Sequence, residues 1–487
     1  TGPSSVQPTA NGDPDQGLDP NRPVSLNCRD DLHMNLFAVT LGAKGLLFGR
    51  DEDAMADPWN NLSSSDWPTD FPTRHPNAVD DIWHATLNTR GEMFTATRPD
   101  ELVDVLSAVL SEIAARIQPV GISASASRVD EDSLFFESSL NSSRWSGDLR
   151  AVSTEDQKEQ WTAQEQMPRP SNRNIFTTVG EGATTFARGN ATLKNRMFGT
   201  ESDLSEAEKN AIIDYLRGDR DDESQNGGTL RDRDGALGDI ANSRPVFAGP
   251  RNEGWGRLDK TYLDYLDDVK KDRTPVVLVG ANDGMLHAFD GSPEGGQELF
   301  AYVPSMVHEN LPELAEPDYV HRFFVDGQIT VADAKPGSSW KTVAVGGLGG
   351  GGKGIFALDI TNPTSFGSGD VLWELDADDD GDIGHVYDEP LITRLPDGEW
   401  VVIFANGFNS DDDQAHLFIV DLGTGEVKQK IALGDAGDNG LASSAALIDP
   451  QSRLFTRRVY AGDLQGNVWA VEFNDTGTGS SRFGANK

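Results

Sequence analysis

The residues best placed to do chemistry form the acidic run Asp376-Ala377-Asp378-Asp379-Asp380-Gly381-Asp382-Ile383-Gly384. Carboxylates at 376, 378 and 380 alternate like the first, third and fifth positions of a calcium loop. Gly381 falls at the sharp turn, Asp382 can offer its backbone carbonyl, and Ile383 can tuck into a core. A hard cation takes about six to eight oxygens at short range, and clustered carboxylates offset its lost hydration. The end of the loop departs from the pattern. Tyr387 stands where a bidentate Glu belongs, and Asp388 comes one residue late. The competing reading is a solvated acidic hairpin, in which closely spaced like charges repel with nothing gained. The sequence thus predicts bound Ca2+, with Asp376, Asp378, Asp380 and Asp382 as the metal-ligating residues.

Other constellations are weaker. Asp411-Asp412-Asp413 reads as a solvated loop, because consecutive acids point in different directions. Gly346-Gly-Leu-Gly349-Gly-Gly-Gly-Lys353-Gly354 invites a phosphate-loop reading, but Gly follows the Lys where Ser or Thr is required. A strand pattern, Ile355-Phe-Ala-Leu-Asp359, comes next, so a glycine turn between strands is expected. Arg217-Gly218-Asp219 spells a recognition tripeptide, yet Gly218 already sits where a helix cap belongs. The eight histidines are scattered, none has zinc spacing, and no Gly-x-Ser-x-Gly elbow exists. His385, beside the acidic run, is expected to pack or face solvent. No catalytic constellation emerges, and the chain is read as a non-enzyme.

The elements that must position the acidic run are mainly strands. Over 487 residues, 51 glycines and 25 prolines favour many short strands over long helices. A formal charge of −38 repels nucleic acid and anionic lipid, and suits cations or basic partners. No apolar run reaches the length of a membrane span. Cys28 stands alone, which excludes a disulfide framework or a thiolate cluster. Thr1 to Pro23 has no charged segment leading into an apolar core, so residues 1–30 read as a disordered linker rather than a signal peptide.

Residues 31–118 read as an α/β layer. Met34 to Thr40 is an expected strand, and a helix is predicted from Pro99, with Leu102, Val105, Leu106, Val109, Leu110, Ile113 and Ile117 on one stripe. Residues 119–487 then switch to short strands. One helix interrupts them, announced by the capping box Ser205-Glu-Ala-Glu208 and closed at Gly218. The most informative signal is a repeat. Val276-Val-Leu-Val-Gly-Ala-Asn-Asp-Gly-Met-Leu-His-Ala-Phe-Asp290 and Arg458-Val-Tyr-Ala-Gly-Asp-Leu-Gln-Gly-Asn-Val-Trp-Ala-Val471 each give an apolar strand, a Gly/Asp turn and a second strand. Echoes occur at Gly354–Asp359 and at His416–Asp421, where Gly423-Thr-Gly425 turns back onto Val427–Ile431. Recurrent units of this kind predict a β-propeller whose blades carry irregular insertions.

Several strings resemble one family. Leu237-Gly-Asp-Ile-Ala-Asn-Ser-Arg-Pro-Val246, Phe300-Ala-Tyr-Val-Pro-Ser305, the stretch Val279–Asp290 and the glycine-rich Val345–Asp359 look like the PilC/PilY-type propeller of type IV pilus tip-associated adhesins. Ile212–Asp219 and Trp83–Gly91 fit the stretch upstream of that propeller. The resemblance implies a mainly β chain, a modified β-propeller preceded by the C-terminal part of a von Willebrand factor A-like α/β domain, with the propeller continuing past Lys487. It further implies an exported, calcium-regulated pilus assembly factor at the pilus tip, cell surface or outer membrane. Such proteins promote pilus extension and surface or host attachment, with pilins or minor pilins and a surface receptor as partners. The family loop carries a further carboxylate eight residues after the first, where this chain has Gly384. Two other readings remain: a quinoprotein-like dehydrogenase, which shares such strands, and a lectin-like surface-binding module.

Overall fold

The computed structural model describes residues 36, 38–40, 42–50, 55, 58, 62, 67, 75–89, 93–95, 122–124, 133–142, 144–180, 182–448, 455–473 and 483–486. The linker expected over 1–30, Cys28 and the helix expected from Pro99 lie outside these residues. The chain divides into two units, Thr1–Ile117 and Gln118–Lys487.

In the first unit, strands Ala38–Thr40 and Met93–Thr95 pair in parallel. A helix, Asn77–Asn88, buries Asp80, Trp83 and Thr86, one residue per turn on a single side. The Asp80 carboxylate accepts the backbone N–H groups of Leu46, Leu47 and Phe48 at 2.7, 3.1 and 2.9 Å. Three donors to one fully buried carboxylate satisfy a charge that burial would otherwise penalise heavily. Gly45 is required beside it, because a Cβ there would stand 1.9 Å from Asp80 Oδ1.

Among the described residues the second unit is built from five sheets in chain order. The first comprises Ile122–Ala124, Leu134–Asn141, Ser146–Ser153 and Glu159–Thr162. The third runs through Ile329–Ala334, Lys341–Gly347, Gly354–Asp359 and Val371–Asp376. The fourth holds Leu391–Arg394, Trp400–Ala405, Ala415–Asp421 and Val427–Leu433. The fifth holds Leu441–Ile448, Thr456–Asp463, Val468–Phe473 and Phe483–Asn486. Each is a four-stranded antiparallel meander, the blade that the repeat predicts. The two clearest repeat copies are hairpins, with Val276 opposite Asp290 and Arg458 opposite Glu472.

The second sheet departs from four strands. Its meander Val246–Ala248, Val276–Ala281, Met285–Asp290 and Glu298–Val303 gains a hairpin, Ile175–Val179 with Gly182–Thr185, laid parallel along its last strand. The first strands of the five sheets stand beside one another in sequence order, so they form a common edge from which the sheets project.

What holds the sheets together is a strict alternation. In Trp400–Ala405 every residue is buried; Trp400, Val402 and Phe404 join a cluster shared with the third sheet, while Val401, Ile403 and Ala405 join one shared with the fifth. In Val276–Ala281 the even positions Val276 and Leu278 pack toward the third sheet, and Val277, Val279 and Ala281 toward the first. Successive side chains of a strand point to opposite faces, so a strand apolar throughout needs a neighbour on each side. Each fully buried Val, Leu, Ile or Phe among them contributes roughly 1.5–3 kcal/mol when removed from water.

The interrupting helix is Glu206–Leu216. Ser205 Oγ accepts from the Glu208 N–H at 3.3 Å, and the Glu208 carboxylate accepts from the Ser205 N–H at 2.7 Å. At the other end Gly218 adopts φ +100°, and the N–H groups of Gly218 and Asp219 return to the carbonyls of Tyr215 and Asp214. Ser205→Ala is expected to cost about 1 kcal/mol locally, read as about fivefold faster hydrogen exchange of the helix amides. Unchanged exchange would show that tertiary packing alone holds the helix.

Candidate functional site

The acidic run leaves the last strand of the third sheet at Asp376 and turns immediately. Asp376 Oδ1 accepts the Asp378 N–H at 2.8 Å, and the Asp376 carbonyl accepts the Asp380 N–H at 3.0 Å. Asp380 Oδ1 accepts the Asp382 N–H at 3.1 Å. Ile383 is fully buried in the cluster between the third and fourth sheets, as expected. The Asp382 carbonyl already accepts the Asn406 side-chain amide at 2.8 Å. Burial, opposed by the Asp378 N–H, pushes the Asp376 carboxyl above the usual carboxylate range.

A cation does reach this loop, and it belongs to the protein. Lys430 Nζ donates to Asp380 Oδ1 and Oδ2 at 2.8 and 2.9 Å. It also lies 2.6 Å from Asp382 Oδ2. Burial alone would lower the Lys430 ammonium, yet Asp380 and Asp382 hold it above its ordinary value. Asp378 is exposed. The donor set suits a hard cation chemically, being all carboxylate and carbonyl oxygen. The geometry differs: among the described residues no group of three or more His, Cys, Asp or Glu side chains is arranged to hold a metal ion.

The later loop positions are engaged elsewhere. A Cβ at Gly384 would stand 2.2 Å from the Phe408 carbonyl oxygen and 3.0 Å from that of Asn406. The Gly384 N–H donates to the Asn406 carbonyl and the His385 N–H to the Phe408 carbonyl, so this backbone is stitched directly to the fourth sheet. Tyr387 stacks on Phe408 at 5.4 Å. Asp388 turns away and accepts from the Ser444 N–H and hydroxyl. His385 is half-buried, with Nδ1 2.9 Å from the Gly349 carbonyl.

A family model described as the PilY1 beta-propeller domain matches residues 237–482, about half of the 487-residue chain and the stretch that holds this loop. The chain belongs to the PilY1 beta-propeller family. The Type IV pilus biogenesis factor PilY1 of Pseudomonas aeruginosa (strain PAK) is 36% identical over 448 residues, 83% of this chain and 37% of the relative. A Type IV pilus biogenesis factor PilY1 homolog of Xylella fastidiosa (strain Temecula1) is 40% identical over 297 residues, covering 56% of this chain and 20% of the relative. This chain therefore spans little more than a third of the length of the Pseudomonas relative. The crystal structure of the Pseudomonas aeruginosa PilY1 C-terminal domain superposes with a TM-score of 0.41 at 33% identity, over 50% of each chain.

Within this PilY1-type propeller the weaker sequence candidates take structural roles. The glycine run is the turn joining Lys341–Gly347 to Gly354–Asp359, and a Cβ at Gly351 would stand 1.6 Å from the Phe324 carbonyl oxygen. The Arg217 guanidinium donates to the carbonyls of Phe186, Pro170 and Arg173, so the Arg-Gly-Asp string is folded inward at a helix cap. Asp411 keeps an exposed side chain, as a solvated loop requires, while its backbone joins the first acidic run. Its N–H donates to the Gly381 carbonyl at 2.8 Å, which brings the second acidic cluster against the first. No helix of the described residues is long and apolar enough to cross a membrane.

One buried assembly escapes a sequence reading. Arg173 Nε and Nη2 donate to Glu298 at 2.6 and 2.7 Å; His287 Nδ1 lies 2.8 Å from Glu298, and His287 Nε2 lies 3.1 Å from Asp283. Burial opposes ionisation of Glu298, but Arg173 and His287 hold its carboxyl at about 2. Burial likewise opposes protonation of His287, which Asp283 and Glu298 nevertheless hold up at about 9. The clue is Asp283 placed four residues before a histidine on an otherwise apolar strand, with the arginine and glutamate far away in sequence.

Proposed function

We propose that this chain is the propeller-bearing part of a type IV pilus biogenesis factor that acts outside the cell, at the pilus or cell surface. The observation that carries the reading is membership of the PilY1 propeller family, together with relatives named as pilus biogenesis factors. Pilins or minor pilins at the pilus tip are the proposed partners, and attachment to surfaces or host cells is the proposed second role. Loss of the gene in its host is expected to abolish surface pili and twitching, with recovery on complementation. Undiminished piliation would overturn the assembly role.

The same proposal assigns calcium to the loop. Asp376, Asp378 and Asp380, with Asp382, would supply its oxygens once Lys430 withdraws, and the bound ion would neutralise charges that otherwise repel across the turn. Isothermal calorimetry of the chain is expected to show one saturable calcium site. That site should vanish in the Asp378→Ala/Asp380→Ala double variant. Equal heats in both proteins would remove calcium from the proposal.

A further inference from the structure

We infer that Lys430 is a tethered counter-cation: its ammonium takes the place beside Asp380 and Asp382 that a divalent ion would take, ordering the loop without metal and competing with calcium for it. The ordering stands on geometry alone; the competition rests on the calcium reading above.

Lys430 lies in Val427–Leu433, the last strand of the fourth sheet, in register with Phe418. The loop follows the last strand of the third sheet, so the side chain bridges two neighbouring sheets. Three contacts between 2.6 and 2.9 Å, to two different carboxylates, distinguish it from a single exposed ion pair. The side chains of Asp380 and Asp382 are 21% and 14% exposed and that of Lys430 is 32% exposed, so water screens the contact only in part. The ammonium also lies 5.7 Å from the centre of the Phe418 ring, on the path between the two sheets.

The charge arithmetic explains why such a residue matters. Five aspartates occur between 376 and 382. Among the described residues no lysine or arginine pairs with Asp376, Asp378 or Asp379; Lys430 is the lysine on Asp380 and Asp382, and His416 Nε2, whose protonation burial disfavours, lies 3.6 Å from Asp382 Oδ2. A divalent ion and an ammonium cannot share these two carboxylates at such distances without strong repulsion. Calcium binding therefore expels Lys430, and the affinity carries the cost of breaking its contacts. Release of the lysine would also break the side-chain link between the loop and the middle of the outer strand of the fourth sheet, so ion binding is read out one sheet away.

The test uses the full chain and three proteins: wild type, Lys430→Met, which keeps the aliphatic stem, and Lys430→Arg, which keeps the charge. Calcium affinity is measured by calorimetry, and melting in EDTA and in saturating calcium, with magnesium as a second ion. Lys430→Met is expected to bind calcium at least about tenfold more tightly than wild type. It should also melt lower in EDTA and recover in calcium, while Lys430→Arg stays near wild type in both. Wild-type affinity and wild-type melting of the Met variant in EDTA would overturn the inference. If no protein binds calcium but the Met variant still melts lower, the counter-cation stands and the calcium reading falls.

Discussion

Glu298→Ala is expected to lower folding stability by about 3–5 kcal/mol, the cost of leaving buried charge without its partner. Glu298 bridges Arg173 and His287 in their buried assembly, and its side chain is wholly removed from solvent. Arg173 lies two residues before the added hairpin, whereas Glu298 opens the strand onto which that hairpin is laid. The variant therefore strips a charge from the core and unfastens the hairpin from its blade. Urea denaturation measures the loss; a change below about 1 kcal/mol would mean that water or local relaxation satisfies both cations.

The pH dependence has a definite sign. Glu298 is held at about 2, below its ordinary 4.5, so its contribution is present above about 4.5 and lost as pH falls through about 2. His287 is held at about 9, above its ordinary 6.5, so its contribution is present below about 6.5 and lost as pH rises through about 9. The gap between wild type and Glu298→Ala should be widest between about 4.5 and 6.5 and narrow on either side.

Gly384→Asp is the second large effect. It places a carboxylate at the position the family resemblance favours, and the simple expectation is a better calcium site. The backbone says otherwise, because the new Cβ would meet the Phe408 carbonyl oxygen at 2.2 Å. That oxygen is held by the His385 N–H, so it cannot retreat without breaking the link between loop and fourth sheet. A loss of about 1–3 kcal/mol is expected, with no gain in calcium affinity. Thermal melting and calorimetry on the same sample check both halves. A variant that melts like wild type and binds calcium more tightly would show that the loop adapts readily.

The strands were legible because alternation and Gly/Asp turns are local properties. Val276–Asp290 states its own hairpin, and Ser205 with Glu208 states its own helix start. The helix at Asn77–Asn88 was less visible, because its buried side is Asp80, Trp83 and Thr86 rather than an apolar stripe. The parallel pairing of Ile175–Val179 with Glu298–Val303 joins segments too far apart in sequence for any window to connect. At the candidate site the acidic spacing was plain, but its neutraliser lies fifty residues later among ordinary strand residues. In sequence Gly384 reads as a missing ligand; in the fold the Phe408 carbonyl lies against it and leaves no room for a side chain.

The alternation across the blades also bears on how the strands are aligned. In most half-exposed sheets a slip of one residue sends apolar side chains into water, and that penalty fixes the pairing. A strand such as Trp400–Ala405 has no such safeguard, since both of its faces are apolar and both are covered. A slip there would merely exchange the occupants of two cores. Alignment must then be written in the connections, where Gly284 at φ +94° and Gly425 at φ +74° admit one turn geometry and few substitutes. For these blades the glycines between strands carry the addressing information, and the apolar residues supply the adhesion.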